Sequence, residues 1–186
     1  MTVTRRSLAP LLAAAPLAIA ALHTRDAEAA SRAEIDREVA SAVVTLRNMQ
    51  NTRVLFENAK AVLVFPKIIS GGFIIGGQFG EGALLRDGRT TGHYNIAGAS
   101  FGLLAGAQTA GLAMFFMTDE GLAALMRADG WEIGTGPSVV AVDAGVQANM
   151  TATTLAQPVY AITFGQQGLM AALALNGTKI TRINPE

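Results

Sequence analysis

From Ser31 to Gln50 the apolar residues recur at helical spacing, with Ile35, Val39, Ala42, Val43, Leu46 and Met49 on one stripe. Glu34, Arg37 and Thr45 lie opposite, and Asp36, Glu38 and Arg47 sit at the stripe's edges. Ser31 followed by Glu34 has capping-box spacing, in which the hydroxyl accepts from an orphan N–H and the carboxylate reaches back. Helices that lie on membrane surfaces usually carry a strongly basic polar face, and this one is mixed in sign. The pattern predicts a helix packed against a sheet.

Beyond it the period shortens. Residues 61–66, AVLVFP, form an unbroken apolar run that reads as a short buried strand stopped by Pro66. In residues 73–86, Phe73, Ile75, Phe79, Ala83 and Leu85 share one parity while Gln78 and Arg86 take the other, which places the first set on one face of a sheet. Asp87-Gly88 then separates two strand-like runs and predicts a two-residue hairpin. The glycines of GGFIIGGQFGEGALL, residues 71–85, lie inside this alternation and lead into another strand. A phosphate-binding loop would instead lead into a helix N-terminus. Here the glycines read as bulges and points of close backbone approach.

No charged residue occurs between Arg89 and Asp119, and residues 94–117 are long enough to cross a membrane. Gly98, Gly102 and Gly106 even repeat at the spacing of membrane helix-pairing faces. Against a span, Asn95, Ser100, Gln108 and Thr109 are scattered through the stretch, and no basic flank or aromatic belt brackets it. Two long strands joined near Gly106 account for the same residues, and both readings stand at this level. Residues 118–130 then read as a helix capped by Thr118, with Asp119 and Glu120 at its positive end, Arg127 at the other, and Gly130 closing it. Val140, Val142, Ala144, Val146, Ala148 and Met150 alternate with Asp143, Gln147 and Asn149 as a strand. Tyr160, Ile162 and Phe164 mark another, opened by Pro158, and Leu169, Ala171, Leu173 and Leu175 begin a last one, whose parity changes at Asn176-Gly177. The fold class is α+β, with roughly two helices and about six to eight antiparallel strands.

Composition changes the picture at the N-terminus. Of the 186 residues, the first 29 run from Arg5-Arg6 through an apolar stretch, Leu8 to Leu22, to the small-x-small pattern Ala27-Glu28-Ala29. That order reads as a cleaved export signal, with an uncleaved anchor as the alternative. The arginine pair also resembles a twin-arginine signal, and the route stays open. Residues 30–186 hold 11 basic and 12 acidic residues, a balance that argues against nucleic acid as a partner. The chain has no cysteine, hence no disulfide, thiolate metal ligand or thioether lipid anchor. The expected location is periplasmic or secreted, unless a later segment of the chain inserts into a membrane.

Little catalytic chemistry is on offer. His93 is the only histidine beyond the signal, too few for a multi-histidine metal site. Ser100, His93 and Asp143 could be combined into a relay only without any local signature to support it. Asp119 and Glu120 are neighbours that do not face each other. Trp131 reads as a core plug. Lys60, Lys67, Arg86 and Arg89 lie near strand ends or the hairpin, where loop cations either are solvated or meet an anionic headgroup. The expectation is a protein without enzymatic activity, cofactor or metal.

Three separated blocks, AKAVLVFPKIISGGFIIGGQFGEGALL, GASFGLLAGAQTAGLAMFFMTDEGLAAL and PVYAITFGQQGLMAALALNGTKI, resemble the SYLF lipid-binding domain in the same order, from about Glu34 to Ile183. The resemblance is to an exported bacterial member of the family. It implies a single domain over residues 30–186, built on a curved antiparallel sheet or half-barrel with an N-terminal helix and one inserted helix, and disfavours a membrane span. It also implies lipid binding, directed in eukaryotic members at phosphoinositides and in some at actin filaments. The eukaryotic lipid contact is associated with a basic N-terminal helix, from which this balanced helix departs. An exported chain would meet phospholipid or an anionic membrane surface instead, with Lys60, Lys67, Arg86 and Arg89 as the candidate contacts. A structural or protein-interaction module of the envelope is the alternative.

Overall fold

The computed structural model describes residues 30–49, 52–72, 75–101, 106–142, 155–167, 175 and 177–186. Residues 1–29, where an export signal is expected, and the stretch 143–150 lie outside them, as do residues 102–105 and 168–174. The N-terminal helix α1 (Arg32–Arg47) follows from its cap and stripe: Ser31 accepts from Glu34 N–H, and Ile35, Val39, Ala42 and Leu46 are buried. A second short helix, α2 (Thr52–Asn58), was not legible in the pattern. Its seven residues give too few turns for a period, and tertiary contacts hold it. Leu55 is fully buried, and the Phe56 ring meets Phe115 edge-on at 5.0 Å.

Strands β1 (Ala61–Gly72), β2 (Ile75–Arg86), β3 (Arg89–Phe101) and β4 (Gly106–Phe116) follow, then helix α3 (Asp119–Leu125) and strands β5 (Trp131–Glu132), β6 (Val139–Ala141), β7 (Val159–Gln167) and β8 (Lys179–Ile183). The eight strands make one curled half-barrel sheet in the order β5-β8-β3-β2-β1-β4-β7-β6. The uncharged stretch 94–117 is thus shared between β3 and β4, and among the described residues no helix is long and apolar enough to cross a membrane.

Three expectations are corrected. Pro66 does not stop β1: the register against both neighbours shifts around it, between Val64 and Lys67 on one side and Phe65 and Ile68 on the other. A bulge absorbs the missing N–H, so the strand continues to Gly72. The sheet is not wholly antiparallel, because β6 runs parallel to β7. A parallel pair requires the chain to return to the same end of the sheet between its two strands. Helix α3 ends at Leu125, and Gly130, at φ 81°, closes the turn that follows instead.

Both faces of the sheet carry a buried apolar cluster. One carries Leu63, Phe65, Tyr94, Ile96, Leu112, Met114 and Phe116 against α3 and Trp131, whose indole N–H donates to Thr135 C=O at 2.9 Å. The other carries Val62, Val64, Ala83, Phe115, Tyr160, Ile162 and Phe164 against α1 and α2. The predicted parity holds from Phe79 to Leu85, with Phe73 outside the described residues, yet Phe79, on the α1 face with Ala83 and Leu85, is 49% exposed, since α1 covers only the other end of that face. Gln78 on the opposite face is the buried one, bonded to Thr178 Oγ1 at 2.6 Å.

The glycine stretch earns its composition at the Pro66 bulge. A Cβ on Gly82 would lie 2.1 Å from the Val64 carbonyl oxygen and 2.8 Å from the Phe65 ring. Only a hydrogen there lets the bulged strand close onto β2. The hairpin after β2 is made as the pattern predicts, with Asp87 and Gly88 at φ 49° and 75°.

Candidate functional site: a cationic sheet end

The β2–β3 turn presents Arg86 and Arg89 as a directly paired couple across the two strands, both exposed. Like charges placed opposite each other destabilise a ladder, so the pair carries a standing repulsion. A bulge between Leu84 and Leu85 then brings Gly92 opposite Leu84, and Tyr94 follows on the same face. The next strand, β8, sets Arg182 opposite Tyr94, and the Arg182 guanidinium lies against Gly92, where there is no side chain to displace it. Burial pushes the Tyr94 phenol above its ordinary pKa, while Arg182 and Arg86 pull it back down. Those two cations therefore act on one buried ring from two different strands. Among the described residues, none of Arg86, Arg89 and Arg182 has a carboxylate within ion-pair distance.

The other two predicted cations are placed differently. Lys60 precedes β1 at the same end of the sheet, but its ammonium is paired with the Asp119 carboxylate at the start of α3. Lys67 is exposed at the β1 bulge, opposite Glu81 and well down the strand from the turn. The fold thus gathers Arg86 and Arg89 with Arg182, offsets Lys60, and sets Lys67 apart. Arg182 was missed in the sequence because nothing local links KITRI to the hairpin; only β3–β8 pairing does.

Beside this end a groove of about 460 Å³ runs between α1, α2 and the hairpin. Val39, Val43, Phe56 and Leu85 supply apolar walls, and Lys60, Asp36 and Asp87 a rim of mixed sign. Arg47 does not project freely there, because its guanidinium stacks 4.7 Å from the Phe56 ring centroid. His93 is buried with Nε2 3.0 Å from Asp36 Oδ1, an oxygen that also accepts from Thr90 Oγ1 at 3.0 Å. It ties α1 to β3, a structural role. Asp143 lies outside the described residues, and among them no group of carboxylates and histidines could hold a metal ion.

What the arginines can do chemically is receive oxyanions. Three guanidinium groups offer planar donor forks suited to phosphate or carboxylate. No curated protein matches the chain. Residues 97–185, from the middle of β3 through β8, match the family model described as Ysc84, Las17-binding protein actin regulator. Over those residues the chain is similar to the Ysc84 family, consistent with the SYLF domain that its sequence blocks resemble.

Proposed function

We propose that this chain is a non-catalytic module of the bacterial cell envelope that binds anionic phospholipid. The observation that carries the reading is the trio Arg86, Arg89 and Arg182, held at one sheet end with no carboxylate partner among the described residues. An anionic surface relieves the Arg86–Arg89 repulsion, which no described side chain does. Each such cation contributes about 1 kcal/mol near an anionic membrane, and the attraction fades beyond a Debye length. Co-sedimentation with vesicles tests it. The chain should sediment with vesicles of equal parts phosphatidylcholine and phosphatidylglycerol at low salt, and lose most of that binding at physiological salt. Equal indifference to anionic and zwitterionic vesicles would transfer the function to protein interaction, the reading that the family description favours.

The envelope location rests on the export signal. Cleavage after Ala29 is expected, and intact mass of the exported protein checks it; a species retaining residues 8–22 would identify the segment as an anchor. Ala30 N–H donates to Glu81 Oε2 at 3.1 Å. Processing at that bond would convert the amide donor into an α-ammonium paired with the Glu81 carboxylate, strengthening the attachment of α1 to the sheet.

A further inference from the structure

Helix α1 begins beside Glu81 and runs toward the hairpin, where Asp36 meets Thr90 and His93. Among the described residues, none covers the part of the same sheet face on the far side of Glu81, where two large apolar side chains are about half exposed. There Ile69 and Phe79 are direct cross-strand partners, 50% and 49% exposed, and Ala97 continues their row into β3. The next row on this face is Gly71, Gly77 and Ala99, so the two large side chains stand on a nearly flat floor. The sequence between Lys67 and Glu81 contains no charge. Lys67 is exposed at the border, and no ion pair joins it to Glu81. Glu81 itself is engaged by the Ala30 N–H.

We infer that this face, with Ile69 and Phe79 at its centre and Lys67 on its border, enters the interface of a phospholipid bilayer. The inference rests on the lipid-binding reading and assigns it a second contact, apolar and separate from the arginines. Along β2, Phe79 lies roughly 23 Å from Arg86, and the two residues point to opposite faces. A second copy of the chain is the poorer occupant on two counts. Four strands and two rows amount to on the order of 250 Å², against about 800 Å² per partner in a stable protein interface. Self-docking would also bring exposed Lys67 ammonium groups near each other, whereas an anionic leaflet complements them. A flat floor with two projecting apolar side chains suits shallow insertion among headgroups and first methylenes.

The absence of cysteine allows the face to be probed in the full chain. Phe79→Cys and, separately, Ile69→Cys are labelled with a polarity-sensitive fluorophore. Val44→Cys, 61% exposed on α1, serves as the comparison. With vesicles of equal parts phosphatidylcholine and phosphatidylglycerol, the labels at 69 and 79 should shift to the blue and be quenched by brominated lipid, and the label at 44 should not. Among the chains that stay bound at salt concentrations that weaken the arginine contact, the emission wavelength of these labels should be unchanged. In a second measurement, Ile69→Ser/Phe79→Ser should lower vesicle partitioning roughly tenfold or more with an unchanged melting temperature. Sedimentation of the wild type with unshifted labels at 69 and 79, or unimpaired binding of the double variant, overturns the face and leaves the lipid reading intact. A double variant altered only in oligomeric state assigns the face to self-association and overturns it as well. Failure of the wild type to bind any vesicle overturns the lipid reading and this face with it.

Discussion

Gly82→Ala should lower the stability of the fold by about 3 kcal/mol, at the upper end of what an overpacked site costs. The new methyl group would sit 2.1 Å from the Val64 carbonyl oxygen and 2.8 Å from the Phe65 ring. The first of these is backbone, which no rotamer change can move aside. Relief requires β1 and β2 to separate at the Pro66 bulge, between two strands at the centre of the sheet. Thermal denaturation measures the effect, and a fall in Tm of about 10 °C is expected for a domain of this size. Gly77→Ala in the same strand is the control. Its methyl would find nothing nearer than the Gly98 carbonyl oxygen at 3.9 Å, so Tm should stay within about 2 °C of wild type. Equal losses in the two variants would mean that close approach at the bulge is not what makes glycine necessary at position 82.

Neutralising the arginine trio should separate binding from stability. Arg86→Gln/Arg89→Gln/Arg182→Gln removes about 3 kcal/mol of attraction to an anionic surface at low salt, more than a hundredfold in affinity. The fold should not suffer, since all three side chains are exposed and none has an ion-pair partner among the described residues. Arg89→Gln alone removes the like-charge contact with Arg86 and should raise stability by a few tenths of a kcal/mol while weakening vesicle binding. Lys60→Gln is informative beside them: its ammonium is paired with Asp119, so its loss should leave binding nearly unchanged. If the triple variant binds as wild type does, the electrostatic site is elsewhere.

Much of the fold could be read from local pattern. The stripe from Ile35 to Leu46 buries as predicted, because α1 covers a sheet along nearly its whole length and helical period alone decides which side chains face it. The Asp87-Gly88 turn was legible because its backbone requires positive φ at both positions. Parity along β7 likewise sends Tyr160, Ile162 and Phe164 to one face and Val159 and Ala161 to the other. Where local pattern misled, a non-local partner had intervened. Pro66 is a strand breaker only until both neighbouring strands shift register around it. Gln78 is polar, yet Thr178, a hundred residues away, bonds its amide and makes its burial tolerable.

The candidate site divides along the same line. The sequence by itself determined that cations would flank the hairpin, since strand ends and turns are where charge stays solvated, and it determined that no thiol chemistry is available. Only the tertiary structure decided that Lys60 is spent on Asp119, that Lys67 stands apart from the turn, and that Arg182 joins Arg86 and Arg89. It also decided that Ile69 and Phe79 remain in solvent, because the length and starting point of α1 set how much of the sheet is covered. The physical reason is range. Hydrogen-bonding geometry, φ preference and side-chain period act within a few residues and are written in the order of the chain. The meeting of charges, and the covering of an apolar face, depend on which distant strands and helices become neighbours.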